Sequence, residues 1–140
     1  MPNLRHAFPA AILLGVLAPV AATAEAWHGQ IQCDVIPGLN TKPLFGDFVM
    51  HSNGTRLTYS RPVHNADSAS LSGVAEAGAG TLLGEEIKLH GGAAGVGYSY
   101  TATYQGRTDG SQANLGGEQV WTATRLPRPF HRACHITLTR

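Results

Sequence analysis

Phe48-Val49-Met50-His51-Ser52-Asn53-Gly54-Thr55-Arg56-Leu57-Thr58-Tyr59 is the stretch that decides the fold. Asn-Gly between alternating apolar residues is a strong hairpin signal, because both central residues of a type I′ turn need positive φ. A two-residue loop at Asn53-Gly54 sets Ser52 against Thr55, His51 against Arg56, Met50 against Leu57 and Phe48 against Tyr59. Phe48, Met50, Leu57 and Tyr59 then share one face. His51, Arg56 and Thr58 take the other, and Val49 is the exception. Turn chemistry and apolar alternation are independent signals, and here they agree. Asn53-Gly54-Thr55 also matches a glycosylation sequon, which the turn explains without a sugar.

The same alternation continues on both sides. Ile31, Cys33 and Val35 alternate with Gln30, Gln32 and Asp34, and Cys134, Ile136 and Leu138 alternate with Ala133, His135, Thr137 and Thr139. Asp109-Gly110 predicts a second hairpin, with Tyr104 opposite Leu115 and Gly106 opposite Ala113. Tyr98, Tyr100, Ala102 and Tyr104 fall on one face of it. Gly116-Gly117 reads as a further turn into a strand over 119–125; a two-residue turn there sends Val120 inward and a three-residue turn Trp121, the latter favoured because it buries the indole. Ile87 and Leu89 mark another strand, and residues 64–74 read as a polar loop entering a weaker one. After residue 24 helical periodicity never persists beyond about two turns, well short of the mean helix of roughly 11–12 residues. The fold expected is all-β: an antiparallel meander of about eight strands, closed as a small up-and-down barrel or packed as a β-sandwich.

The chain divides once. Arg5 and His6 precede an apolar run over 7–22, followed by small-residue sites before Glu25 or, alternatively, before Trp27. That is the layout of a secretory signal peptide over 1–24, leaving a single β domain over 25–140. The run is short and carries Pro9 and Pro19, so it does not read as a membrane span. Export to the periplasm or the cell exterior makes Cys33 and Cys134, the chain's 2 cysteines, a disulfide tying the first strand to the last. Among residues 1–24 only Arg5 is charged, and the whole chain has 10 basic against 9 acidic side chains. The domain is therefore neutral, which argues against nucleic acid as a partner. Outward faces rich in Gln, Thr, Asp, Arg and Lys argue against an outer-membrane barrel, whose strands need an apolar lipid side.

No catalytic set, metal set or cofactor motif emerges. His131 and His135 have the spacing of a helical zinc pair, but on a strand they stand about 13 Å apart. The Gly-rich segments over 78–84 and 91–97 lack Gly-Lys-Ser/Thr and a following helix, so they read as long mobile turns rather than phosphate loops. Glu85 and Glu86 point to opposite faces; Asp34, Asp47 and Glu76 read as isolated; no Gly-x-Ser-x-Gly elbow occurs.

Two features could bind. Arg125, Arg128, Phe130, His131 and Arg132 surround Pro127 and Pro129, which impose an extended loop; arginine and aromatic residues are common interface anchors. Tyr59, Tyr98, Tyr100, Tyr104 and Trp121 could line a cavity for a small apolar ligand. The layout resembles that of small periplasmic β-barrel proteins such as lysozyme inhibitors and lipocalin-like carriers, a likeness of fold that assigns no function. The leading expectation is a secreted or periplasmic, non-enzymatic binding module contacting a protein or an envelope polymer through its loop tips. A small-molecule carrier with a tyrosine-lined cavity is the alternative, and a small secreted hydrolase the second alternative.

Overall fold

The computed structural model describes Gly15 and residues 24–140. Apart from Gly15 and Ala24, the expected signal peptide lies outside the described residues. The eight strands are β1 (Glu25–Cys33), β2 (Leu44–Asn53), β3 (Arg56–His64), β4 (Leu71–Leu83), β5 (Glu86–Gly95), β6 (Tyr98–Thr108), β7 (Gln112–Ala123) and β8 (Phe130–Thr139). Each pairs antiparallel with its sequence neighbour, and β1 pairs with β8 to close the barrel. Closure leaves no strand edge exposed to a foreign strand, and it settles the choice between barrel and sandwich.

Alternation drives the assembly. Along β8 every second residue from Arg132 to Leu138 is buried, and the intervening ones are exposed. β3 behaves likewise, burying Leu57, Tyr59, Arg61 and Val63. The core joins Trp27, Ile31, Phe48, Met50, Leu115, Ile136 and their neighbours. Phe48 stacks on Tyr59 at 4.9 Å, and Tyr104 meets both rings edge-on. Cys33 faces Cys134 across β1 and β8, and the two are disulfide-bonded.

Both predicted hairpins form, each with its register displaced by two residues. Asn53 pairs with Arg56, so the turn is Gly54-Thr55, with Gly54 at φ 63° and Met50 opposite Tyr59. Glycine at the first central position is the signature of a type II′ turn rather than I′. In the second hairpin Thr108 pairs with Ala113 and Gly106 with Leu115. There the Asp109 amide donates to the Gln112 carbonyl, which leaves Gly110-Ser111 as the turn, and the Asp109 side chain accepts from the Ser111 and Gln112 amides. A slip of two preserves which face each side chain takes, so the buried set survives both displacements.

Three other expectations change. Gly116-Gly117 is not a turn: β7 runs straight through it and takes Trp121 inward. Most of the Gly-rich segments is strand, 78–83 in β4 and 91–95 in β5, and only the tight connections Gly84-Glu85 and Val96-Gly97 are turns. Their lack of side chains has a packing reason. A Cβ on Gly78 would lie 2.4 Å from the Tyr59 ring, and one on Gly91 would lie 2.4 Å from its hydroxyl. The polar loop expected over 64–74 is confined to 65–70, and β4 begins at Leu71.

The meander puts connections 34–43, 65–70, 96–97 and 124–129 at one end of the barrel, and turns 54–55, 84–85 and 109–111 at the other. The first end is the looser one. There Ile36 folds inward as part of the core, its amide donating to Asn40 Oδ1. Asp67, at φ 54°, accepts from the Thr41 and Lys42 amides and the Thr41 hydroxyl, linking the 34–43 and 65–70 connections.

Candidate functional site

The upper half of the barrel interior is polar. Period-two burial carries Arg61 of β3, Glu76 of β4, Gln119 of β7 and Arg132 of β8 inward, at exposures of 2%, 0%, 0% and 4%. Charged groups are rarely buried unless paired, and here pairing is dense around one carboxylate. Glu76 Oε1 accepts from Arg61 Nε at 3.0 Å, the Tyr100 hydroxyl at 2.7 Å and Gln119 Nε2 at 3.0 Å. The Tyr104 hydroxyl donates to Glu76 Oε2 at 2.9 Å. Gln119 then passes the network on: its Oε1 accepts from Trp121 Nε1 at 3.0 Å and from Arg132 Nε at 2.8 Å.

The electrostatics follow from burial. Desolvation, and then Glu76, push the Tyr100 and Tyr104 phenols well above their ordinary value, so both remain donors. Desolvation works against the Arg61 charge, but Glu76 and the two phenols outweigh it and hold its proton more tightly than usual. For Arg132 the same three groups also favour the charge, but they do not outweigh what opposes it. Desolvation first and Arg61 second push it down to about 10, which leaves it charged at neutral pH. The interior thus holds two guanidinium groups and, among the described residues, one carboxylate.

Above this network lies a cavity of about 500 Å³ at the loop-bearing end. Arg61, Arg132 and Trp121 form part of its floor; Ile36, Leu39, Leu44, Val63 and Tyr98 supply apolar wall. Lys42 and Arg125 stand at its rim, and Phe45 and Val96, at 63% and 103% exposure, leave apolar surface there. The Arg132 guanidinium sits 5.0 Å from the Trp121 ring centroid, and Trp121 in turn stacks on Tyr100 at 4.3 Å.

The expected sites are therefore redistributed. Of the tyrosine row, Tyr98 and Trp121 reach the cavity; Tyr59, Tyr100 and Tyr104 belong to the core and the network beneath. The Tyr59 hydroxyl is buried without a hydrogen-bond partner. Of the expected contact loop, Arg125 lines the cavity and Arg128 lies on the 124–129 connection. Phe130 is half-buried against the core at the start of β8, and His131 faces outward, 3.3 Å from Glu118. Arg132 is not a loop-tip residue at all: it shares the inward phase of Cys134, Ile136 and Leu138. Glu76, read as isolated, is the hub. Its signal was weak because its phase-mates on β4 include Gly78 and Gly80, which show no apolar stripe. His131 and His135 both point outward along β8. Among the described residues no three His, Cys, Asp or Glu side chains converge as a metal site. Nor is any helix among them long and apolar enough to cross a membrane.

No protein-family model matches the chain, and neither a curated protein nor a solved structure was found similar to it.

Proposed function

We propose that this protein is a non-enzymatic binding protein of an oxidising, extracytoplasmic compartment that takes a small amphipathic molecule into the open end of its barrel. The observation that carries the reading is the cavity of about 500 Å³, walled by apolar side chains and floored by two buried arginines. Small-molecule sites have this character: concave, largely preformed, mostly apolar, with few placed polar groups. The compartment is supported by the Cys33–Cys134 disulfide and by the leader-like pattern over 1–24. The carrier reading thereby moves ahead of loop-tip contact, since Arg132 is turned into the barrel.

The test is titration with N-phenyl-1-naphthylamine, an uncharged apolar fluorophore. A Trp27→Phe background leaves Trp121 as the sole indole of a chain with 2 tryptophans. That change sacrifices no hydrogen bond, because Trp27 Nε1 is buried and unpaired. Saturable binding at one probe per chain with quenching of Trp121 is the expected result. Binding that never saturates, or that leaves Trp121 emission unchanged, refutes the reading.

A protein partner seated on the same mouth is a second reading, favoured by the exposure of Phe45 and Val96 at the rim. It predicts that Val96→Ser with Arg128→Ala weakens partner capture without lowering Tm. Unchanged capture by that variant rejects it.

A further inference from the structure

We propose that the occupant of the cavity is a monocarboxylate borne on an apolar body, its carboxylate held end-on by the two terminal amino groups of Arg132. The inference rests on the ligand-binding reading above and adds the chemical class of the ligand.

Three observations carry it. First, Arg132 is almost fully buried yet only partly used. Its Nε donates to Gln119 Oε1 and its face lies over Trp121, while its Nη groups have no hydrogen-bond partner among the described residues. Arg132 lines the cavity, so these donors are available to a ligand there. A planar guanidinium fixed at one nitrogen and across one face presents the rest as a rigid fork, the shape that matches a carboxylate.

Second, the charge count calls for one negative charge. Arg61 is more fully engaged: each of its three nitrogens donates, Nε to Glu76, Nη1 to the Pro62 carbonyl and Nη2 to the Tyr100 hydroxyl. Glu76 answers Arg61 and leaves Arg132 without a counterion in the interior. A monoanion neutralises the floor, whereas a dianion meets no second uncompensated guanidinium in the interior.

Third, the surroundings select the rest of the molecule. The wall is mainly apolar, with Ile36, Leu39, Leu44 and Val63, and of its polar side chains Asn40, Asn65 and Ser72 are engaged with neighbouring groups of the protein, which favours an apolar body over a sugar or peptide. At the rim, Lys42 and Arg125 attract an anion, and the one rim carboxylate, Asp67, is occupied by backbone amides of the 34–43 connection.

The experiment is displacement of N-phenyl-1-naphthylamine from the oxidised protein by dodecanoate, dodecanol and dodecyl phosphate, all below their micellar concentrations. Dodecanoate should displace the probe at a concentration at least about tenfold below dodecanol, the effect of a charge-assisted bidentate contact. In Arg132→Met that preference should fall to parity while the probe still binds. If the variant does not fold, the wild-type series decides alone. Equal displacement by dodecanoate and dodecanol with the probe bound overturns the carboxylate assignment and leaves the cavity reading intact. So does a preference that survives in Arg132→Met. Tighter displacement by dodecyl phosphate overturns the single-charge argument. Failure of the probe and of every amphiphile to bind overturns the cavity reading and this proposal together.

Discussion

Replacing Glu76 by glutamine should be among the most damaging conservative changes in this chain. The substitution keeps shape and volume but removes the carboxylate that Arg61, Tyr100, Tyr104 and Gln119 all address. Two buried guanidinium groups would then face each other with no anion among the described interior residues. Breaking a buried ion pair by deleting one partner costs about 3–5 kcal/mol, mostly the penalty for the stranded charge. Against a total stability of roughly 5–15 kcal/mol, that is a large fraction. For a domain of this size it corresponds to a fall in Tm of about 15 °C. The assay is urea unfolding of the oxidised protein followed by tryptophan emission, with the slope m compared between variants. Arg61→Met added to Glu76→Gln should recover most of the loss, because it removes one stranded charge. Arg132→Met alone should carry the opposite sign and leave the empty protein at least as stable as wild type, since a single interior carboxylate serves two guanidinium groups and is bonded to Arg61. A Glu76→Gln loss below about 1 kcal/mol at unchanged m would refute the reasoning, because the charges would then be screened by water rather than by one another.

Three further outcomes test the architecture. Cys33→Ser with Cys134→Ser opens a loop with a sequence separation of 101. It should cost about 4–5 kcal/mol on the chain-entropy account, read as the shift in urea midpoint; a loss under about 1 kcal/mol would mean that pairing of β1 with β8 suffices. Gly78→Ala and Gly91→Ala should each destabilise by about 1–3 kcal/mol, because their Cβ atoms collide with Tyr59 and with strand carbonyls. Gly116→Ala meets open space and should stabilise by up to about 1 kcal/mol; equal effects at all three positions in thermal melts would reject the packing role given to Tyr59. Hydrogen bonds from the Thr41 and Lys42 backbone hold the Asp67 carboxyl below its ordinary value of 3.8. A depressed folded value means that its contribution to loop anchoring is complete above the ordinary value and lost as pH falls through the lower, folded one. Amide exchange at Thr41 and Lys42, corrected for its intrinsic pH dependence, should rise over that acid window in wild type. In Asp67→Ala it should already be raised at neutral pH, and unchanged exchange in that variant would show that the anchor does not hold the loops.

Much of the fold was legible because its determinants are local. Alternation between residues two apart assigns a face, and glycine at a tight turn sets the chain reversal, so the meander and the buried rows follow from short windows of sequence. Register was less accessible. Asn53-Gly54 and Gly54-Thr55 both make two-residue turns, and the choice alters pairing without altering the faces. The site was partly legible in the same way. Extending the phase of Leu57 and Tyr59 puts Arg61 inside, and extending Ile136 and Cys134 backward puts Arg132 inside. What opposes that extension is composition, since an unpaired charge in a core is too costly to assume. The pairing that makes it tolerable comes only from closure. Arg61, Glu76, Tyr100, Tyr104, Gln119 and Arg132 lie on five strands spread over 72 positions of sequence, and no local window contains them. Strand faces and most strands could be read from neighbours along the chain, and the disulfide from there being 2 cysteines in a chain read as exported. The tertiary structure alone decided that one carboxylate answers one arginine and leaves the other facing a cavity, because that depends on which inward side chains the closed barrel brings to the same depth.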